Sequence, residues 1–440
     1  MQRTTRDRRT LAALGIAIAA WVGAARANGA FPDEFSVHLP TGAPHRIFIG
    51  TNFGLVVSED DGATWRYACE PYVVGAVSNA IQYQLASDGT MFAASLGGLT
   101  RSSDGGCTWA RSGGMAALSI SDFFVDPNDP TFVLAIASGP TGSGIYPSHN
   151  GGSTFGPALF TSADQLNGVE IARSARGVVY AIAGGSNVTL MRSSDFGATW
   201  TTTVLSVPAG TIGRLAAVDP LDANTVYLRL ITSITDAIAI TTDGGRTVPA
   251  PEVSLSGTVF SSFLRAADGT LYAGTPGGDL YVRAPGSMTF VRQAGPHMRC
   301  LGQRPGSARV FACGDAFLDG FNLGYSDDGA QSFQPLVLFP EGGPPGMLRQ
   351  GGEGLRSQLS APAHLSGPLT CPQVQTACAS HWAALQKTLG IAPADAGGPA
   401  AHGGSSAGAS HCGSAGASTV AVILLLAFTL RQRRAEGRRR

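Results

Sequence analysis

The residues of this chain best suited to do chemistry are acidic ones that recur at a nearly constant spacing. Residues 58–65 read SEDDGATW, and close copies of this octapeptide end at Trp109, Phe155 and Trp200. Three weaker copies end at Val248, Phe290 and Phe333, so successive copies end 42 to 48 residues apart. The carboxylate or amide at the third position of a close copy could hold a metal ion, or accept hydrogen bonds from the N–H groups of its own turn.

The segments between the copies contain short apolar strands separated by turn residues. A period of 40–50 residues built from such strands is typical of a β-propeller, with one four-stranded antiparallel blade per repeat. We count seven units, the first starting near Phe35, and predict an all-β, seven-bladed propeller over residues 28–350. Each octapeptide then forms the turn into the fourth strand at the blade periphery. A structural role is therefore favoured over metal binding at a single copy, and no metal site or cofactor is predicted.

The octapeptides resemble the Asp box, or BNR repeat, of sialidase-type and sortilin-type propellers. The resemblance covers roughly residues 34–340 and implies that the boxes lie on the face away from the binding centre. It concerns the fold, because propellers carry many unrelated activities. The residues assigned a structural role in the boxes are Asp60, Gly62, Trp65, Asp104, Gly106, Trp109, Asn150, Gly152, Phe155, Asp195, Gly197 and Trp200.

A ligand site is expected on the propeller face where the first strands of the blades begin. Polar side chains at these positions could hold a glycan or a peptide, or could simply solvate the rim of the channel. Loops at 138–144, 184–187 and 315–322 reach the same face. The candidate ligand-binding residues are Asn79, Asp122, Asn167, Arg214, Ser262, His297 and Arg299.

Glycoside hydrolysis is the enzymatic alternative, because it needs two carboxyl groups on either side of a sugar. The carboxyl candidates near the channel are Asp122, Glu170 and Glu341. Sialidase resemblance would also require an arginine triad and a Phe/Tyr-Arg-Ile-Pro element. Only residues 45–48, HRIF, echo that element, and they lack its proline. A non-catalytic recognition or scaffold module is therefore favoured, with no catalytic residue assigned.

Both ends of the chain indicate export. Residues 1–27 combine a basic start, a 12-residue apolar run and an Ala-Arg-Ala pattern, as in a signal peptide. Residues 351–392 are expected to form a short extension with a disulfide and a helix, and residues 393–418 a disordered Gly/Ala/Ser linker. Residues 419–440 are apolar and then arginine-rich. Together with Cys412 in the linker, this end resembles the MYXO-CTERM sorting tail, which implies processing and lipid attachment at that cysteine. An ordinary C-terminal membrane anchor is the alternative.

The charge of the predicted mature protein differs from that of the whole chain. The full sequence has 30 Lys plus Arg and 30 Asp plus Glu. Without residues 1–27 and 419–440, 19 basic and 28 acidic residues remain, a net charge of about −9. This balance argues against nucleic acid as a partner. We expect a monomer at the cell surface or secreted, contacting the membrane only through its tail, whose partner is an extracellular protein or polysaccharide.

Seven cysteines in an exported chain predict disulfides and one odd thiol. Cys300 and Cys313 lie on adjacent antiparallel strands, which predicts a cross-strand bridge. Cys371 and Cys378 flank a predicted short loop before a helix expected over residues 379–389, which predicts a second bridge. Cys69 and Cys107 then remain to pair between blades one and two, leaving Cys412 as the odd thiol.

Overall fold

A computed structural model describes residues 34–75, 81–95, 97–115, 118–140, 142–339 and 365–389. It contains seven antiparallel sheets, each with four consecutive strands of the chain. The predicted seven-bladed β-propeller is therefore confirmed. The predicted signal peptide, linker, sorting tail and Cys412 lie outside the described residues.

Blades 1 to 4 take up the first half of the ring. Their strands are β1 Glu34–His38, β2 Ile47–Thr51, β3 Gly54–Ser58, β4 Trp65–Cys69; β5 Gln82–Leu85, β6 Met91–Ser95, β7 Gly98–Ser102, β8 Ala110–Arg111; β9 Ser119–Val125, β10 Val133–Gly139, β11 Gly142–Ser148, β12 Phe160–Ser162; and β13 Gln165–Ile171, β14 Val179–Gly184, β15 Val188–Ser193, β16 Thr201–Val204. A five-residue helix, α1 Glu70–Val74, follows blade 1.

Blades 5 to 7 complete the ring. Their strands are β17 Ile212–Val218, β18 Val226–Ile231, β19 Thr235–Thr241, β20 Val253–Ser256; β21 Ser262–Arg265, β22 Leu271–Gly274, β23 Asp279–Arg283, β24 Val291–Ala294; and β25 Cys300–Gln303, β26 Val310–Cys313, β27 Leu323–Ser326, β28 Gln334–Val337. The C-terminal extension adds β29 Leu365–Pro368 and α2 Pro372–Leu389.

The core of the propeller lies between neighbouring blades. The second strand of a blade is buried on both faces, as β10 is over its first five residues, because each face meets a different sheet. Leu134 and Ile136 of β10 pack with Val169 of β13 and Ala181 of β14 in the next blade. The first strands of successive blades lie side by side around a central channel. Polar side chains on those strands therefore line the channel.

The turns between third and fourth strands share one set of hydrogen bonds. In blade 1, Asp60 Oδ1 accepts from Thr64 N at 2.8 Å and Asp60 Oδ2 from Thr64 Oγ1 at 2.7 Å. Ser58 Oγ accepts from Gly62 N at 2.8 Å, and the φ of Gly62 is +92°. The indole Nε1 of Trp65 donates to Gly62 O at 3.0 Å, and Trp65 is fully buried. The acid and the serine thus accept hydrogen bonds from backbone N–H groups of a tight turn. Without these acceptors, the N–H groups would lack a partner within the protein.

The same turn recurs where the octapeptide is degenerate. Asn150, which replaces the acid in blade 3, accepts from Thr154 N at 3.0 Å. Asp243 in blade 5 and Asp328 in blade 7 accept from the backbone N–H four residues on, as Asp104 and Asp195 do. Blade 6 has no acid at this position, and Arg283 Nε donates instead to Ser287 O at 2.6 Å.

The ring closes by direct packing of blade 7 on blade 1, since each blade has its own four strands. Arg304 of blade 7 donates to Asp61 of blade 1 at 2.8 Å. Gly302 on β25 lies so close to β1 that a Cβ there would be 2.7 Å from Val37 Cγ1. The sequence pattern alone leaves this closure undecided, because it depends on contacts between the two ends of the ring.

The C-terminal extension is fastened to the outer edge of blades 1 and 2. Strand β29 pairs in parallel with β4, adding a fifth strand to blade 1. Tyr67 OH donates to Cys378 O at 3.3 Å, and the rings of Tyr67 and Trp382 lie 5.5 Å apart. The outer strand of blade 1 is therefore covered, and its backbone groups gain partners.

Disulfides connect this extension to the propeller, and two predicted pairings are wrong. Cys300 is bonded to Cys313, the predicted cross-strand pair. Cys69 is bonded to Cys378, however, and Cys107 to Cys371, so that neither Cys371–Cys378 nor Cys69–Cys107 forms. The segment between Cys371 and Cys378 belongs to an 18-residue helix, not to a loop. The seven residue steps from Cys371 to Cys378 correspond to about 10 Å along a helix axis, too far for a disulfide.

Candidate functional site in the central channel

The predicted ligand-binding residues lie at several levels of the channel. The upper face is defined here as the one where the first strand of each blade begins, and the lower face as the opposite one. Ser262 begins β21, and Arg214 is the third residue of β17. Asn167 sits at a bulge in β13, between Leu166 and Gly168. Asn79 and Glu341 lie outside the described residues.

The structure brings three of the predicted side chains together in the channel wall. Asp122 Oδ1 accepts from Gln82 Nε2 at 2.8 Å, and Asp122 Oδ2 accepts from Val169 N at 2.8 Å. Burial raises the pKa of Asp122, although these hydrogen bonds and the positive charge of Arg214 oppose the rise. Burial also raises the pKa of Glu170 to about 8, and the charge of Asp122 adds to the effect. At neutral pH, Glu170 is therefore largely protonated.

These carboxyl groups tie neighbouring blades together. Glu170 Oε1, in blade 4, accepts from Val218 N of blade 5 at 2.8 Å. Asp122 of blade 3 accepts from the backbone of blade 4 in the same way, and Gln84 Oε1 of blade 2 accepts from Val125 N of blade 3 at 2.7 Å. The repeated pattern gives Asp122 and Glu170 a structural role, because each satisfies a backbone N–H of the adjacent first strand.

A second cluster stands at the upper mouth on blade 7. His297 Nδ1 lies 2.9 Å from Asp319 Oδ1, and His297 N donates to Asp319 Oδ2 at 2.9 Å. Arg299 Nη2 lies 3.7 Å from Asp315 Oδ2. The predicted residues His297 and Arg299 therefore meet the predicted loop 315–322, which they hold in place. Ser262 and Asn167 make no hydrogen bond with the other candidates among the described residues.

Sequence reasoning missed the apolar character of the upper face. Phe317 and Leu318, in the loop that His297 and Arg299 hold, are 40 % and 66 % exposed. The described part of the chain has nine exposed large hydrophobic side chains. Six of them lie on the upper face and three on the lower face. The six are Val204, Ile212, Ile234, Val259, Phe317 and Leu318. Of these, only Phe317 and Leu318 are neighbours in one loop, and an exposed apolar pair of this kind can form part of an interaction surface.

Sequence reasoning also missed a cavity at the lower mouth of the channel. This lower cavity has a volume of about 570 Å³ and is walled by blades 1, 2, 3 and 7, with Arg173 of blade 4 at its edge. Its inner wall includes His38, Gln84 and Gln303, which lie at or near the ends of the first strands. The only feature of the sequence that could have indicated this cavity is the polar residues at the ends of the first strands. Such residues are also expected simply because turns follow the strands.

Neither a metal cluster nor a membrane-spanning helix is found among the described residues. No three His, Cys, Asp or Glu side chains of that part come together as a metal site would require. Neither helix there has the length and apolar character needed to cross a membrane.

Comparison with solved structures supports the propeller fold and nothing finer. The extracellular domain of a one-component system from B. thetaiotaomicron matches with a TM-score of 0.51 and 14% identity, over 70% of this chain and 42% of that one. A GH74 enzyme from Niastella koreensis matches with a TM-score of 0.41 and 15% identity, over 70% and 46%. The chain thus spans less than half the length of either protein. No protein-family model and no curated protein sequence matches it.

Proposed function

We propose that this chain is an exported, surface-tethered β-propeller that recognises a protein or polysaccharide partner without catalysing a reaction. The observation that carries the proposal is the upper-face loop at 315–322, which presents two exposed apolar side chains and is held by two polar contacts. Phe317 and Leu318 project from this loop, while His297–Asp319 and Arg299–Asp315 fix its base. A rigid loop with apolar residues at its tip binds at low entropic cost.

The export and tethering parts of the proposal rest on the two ends of the chain. Three disulfides support an oxidising compartment. The proposed organisation is a signal peptide at 1–27, the propeller at 28–350, the extension at 351–392, the linker at 393–418 and the sorting tail at 419–440. We also propose that the turns between third and fourth strands are Asp boxes, since six of the seven share one hydrogen-bond pattern.

Binding to arrays of glycans and bacterial polysaccharides, and to surface proteins, tests the recognition proposal. The variant Phe317→Ser/Leu318→Ser removes apolar groups from the upper face. The matched control, Leu221→Ser/Met288→Ser, removes exposed apolar groups from lower-side turns. We expect the upper-face variant to bind its partner at least tenfold more weakly and the control to bind normally. Equal binding by all three proteins would refute the assignment of the upper face.

Tethering has its own test. Deleting the residues after Ser410 removes Cys412, the apolar run and the arginine cluster. The shortened protein is expected in the medium and the full chain on the cells. Retention of the shortened protein on the cells would show that the tail is not the tether.

A glycoside hydrolase is the second candidate, because Asp122 and Glu170 place two carboxyl groups with raised pKa values in the channel. A protonated Glu170 has the form of a general acid. Against this, the structure uses oxygens of both groups to accept backbone N–H groups. Turnover of any bound glycan that disappears in both Asp122→Asn and Glu170→Gln would favour the enzyme. Absence of turnover in the unmodified protein leaves recognition as the function.

A further inference from the structure

The lower cavity is a candidate binding site on the face opposite to the proposed partner surface. Its volume of about 570 Å³ is in the range of sites that enclose small ligands. The first strands of three consecutive blades, 7, 1 and 2, supply Gln303, His38 and Gln84 to its wall. What it could bind follows from the hydrogen-bonding groups that these side chains have left over.

The amide orientation of both glutamines is settled by the backbone. Gln84 Oε1 accepts from Val125 N at 2.7 Å, and Gln303 Oε1 accepts from Ala267 N at 2.6 Å. A backbone N–H can only donate, so the oxygen of each amide must face it. The Nε2 groups therefore remain as donors, and no described residue accepts from either of them. The inner wall of the cavity thus offers donors held in fixed positions.

The charges around the cavity disfavour an ionic ligand. Burial lowers the pKa of His38 to about 4, so the imidazole is neutral at pH 7 and a charged group would lose hydration there. Asp88 and Asp126 lie in the cavity lining and accept from Thr90 N and Asn128 N of their own turns. Arg46 and Arg173 also belong to the lining, so its two carboxylates and two guanidinium groups leave no net charge to attract an ion of either sign.

Apolar side chains form part of the remaining wall. Val37, Leu39, Leu85 and Phe124 line the cavity and are only partly buried. A ligand that fits must therefore combine hydrogen-bond acceptors with apolar groups. An extended peptide does so, because its carbonyl groups accept hydrogen bonds while its side chains alternate from face to face.

We propose that the lower cavity binds a short, uncharged peptide segment through its main-chain carbonyl groups, with Gln84 and Gln303 as the donors. Apolar side chains of the segment would contact Leu39, Leu85 and Phe124. This site is separate from the upper face and does not depend on the proposed function being correct.

Glutamate substitutions test the role of the donors with little disturbance of the fold. Gln84→Glu/Gln303→Glu keeps an oxygen for Val125 N and Ala267 N and removes both NH₂ groups. Gln165→Glu makes the same chemical change at the upper mouth and serves as the control. The probe is acetyl-Leu-Ala-Leu-amide, titrated into the full exported protein by calorimetry at pH 7 and at pH 9, where a buried glutamate is more fully ionised.

We expect saturable binding of the probe, at least tenfold weaker in the double variant at pH 9 and unchanged in Gln165→Glu. Ser87→Trp provides a second variant, because Ser87 is exposed at the edge of the cavity and its side chain makes no hydrogen bond with the described residues. The indole is expected to block entry without touching a first strand. Loss of probe binding in Ser87→Trp supports the location even if the glutamate variant fails to fold.

Three results would overturn the proposal. The first is no saturable binding of the probe at millimolar concentration. The second is equal binding by Ser87→Trp and the unmodified protein. The third is tighter binding of acetyl-Asp-Ala-Glu-amide or of N,N′-diacetylchitobiose, which would assign the cavity to an anionic peptide or to a sugar instead. Loss of partner binding in the Phe317→Ser/Leu318→Ser variant, with the probe still bound, would separate this site from the upper face.

Discussion

Replacing Glu170 with glutamine should stabilise the propeller at alkaline pH. Burial raises the pKa of Glu170 from its ordinary 4.5 to about 8. Between these two values the unfolded chain has lost the proton and the folded chain keeps it, so stability falls as pH rises through this window. Above pH 8 both states are ionised and the full penalty applies. The glutamine side chain would remain uncharged, and its amide oxygen could still accept from Val218 N.

The size of the effect follows from the shift. A pKa difference of roughly 3.5 units at 1.36 kcal/mol per unit sets an upper bound of about 5 kcal/mol at pH 9. Because Glu170 is partly exposed to the channel, water reduces this value, and we expect about 2 to 3 kcal/mol. At pH 5 the two proteins should differ by less than about 1 kcal/mol, since Glu170 is protonated in the folded state and partly so in the unfolded state.

Urea denaturation followed by tryptophan fluorescence measures this difference directly. The free energy of unfolding would be determined for the unmodified protein, Glu170→Gln and the control Asp164→Asn at pH 5, 7 and 9. Asp164→Asn removes an exposed carboxylate at the upper mouth. The reasoning fails if the unmodified protein and Glu170→Gln lose stability in parallel from pH 5 to pH 9, because the pKa of Glu170 would then be close to ordinary.

Three other predictions concern the turns, the disulfides and the core. Asp104→Ala should lower the free energy of unfolding by about 1 to 2 kcal/mol, because Thr108 N and Oγ1 lose their acceptors. Asp104→Asn should be nearly neutral, since Asn150 already fills this position in blade 3. Equal losses of stability for the two variants in urea titrations would contradict this account. Peptide mapping without reduction should recover Cys69–Cys378 and Cys107–Cys371; a peptide containing a Cys371–Cys378 bond would show the helix to be misplaced. Trp65→Ala should lower stability by about 3 to 5 kcal/mol, because the fully buried indole belongs to the hydrophobic core that blade 1 shares with the C-terminal extension. A thermal midpoint equal to that of the unmodified protein would be incompatible with that packing.

Prediction from the residues succeeded best where the chemistry is local. The turn residues of the octapeptide bond to one another within four positions, as Asp60 and Thr64 do. The Cys300–Cys313 bridge follows from the register of two neighbouring strands of one blade. Prediction failed where residues far apart in the chain meet. Cys69 and Cys378 are 309 positions apart, and their pairing depends on where α2 packs.

The candidate site divides in the same way. Asp122, Arg214, His297 and Arg299 were found as polar residues at or near strand starts, but their partners come from other blades or distant loops. That Asp122 accepts from Val169 N, and is thus a tie between blades, is visible only when blades 3 and 4 are placed side by side. The lower cavity was missed for this reason, since four blades and part of a fifth contribute to it.

The sequence by itself determined the number of blades, their strands and their turns, because each repeat holds the hydrogen-bonding and apolar residues that its own sheet needs. Only the tertiary structure decided how the ring closes and which cysteines pair between the propeller and the C-terminal extension. It also decided which polar side chains form hydrogen bonds between neighbouring blades. These outcomes depend on the docking of whole sheets, where each contact joins residues from different repeats, and no pattern within one repeat records them.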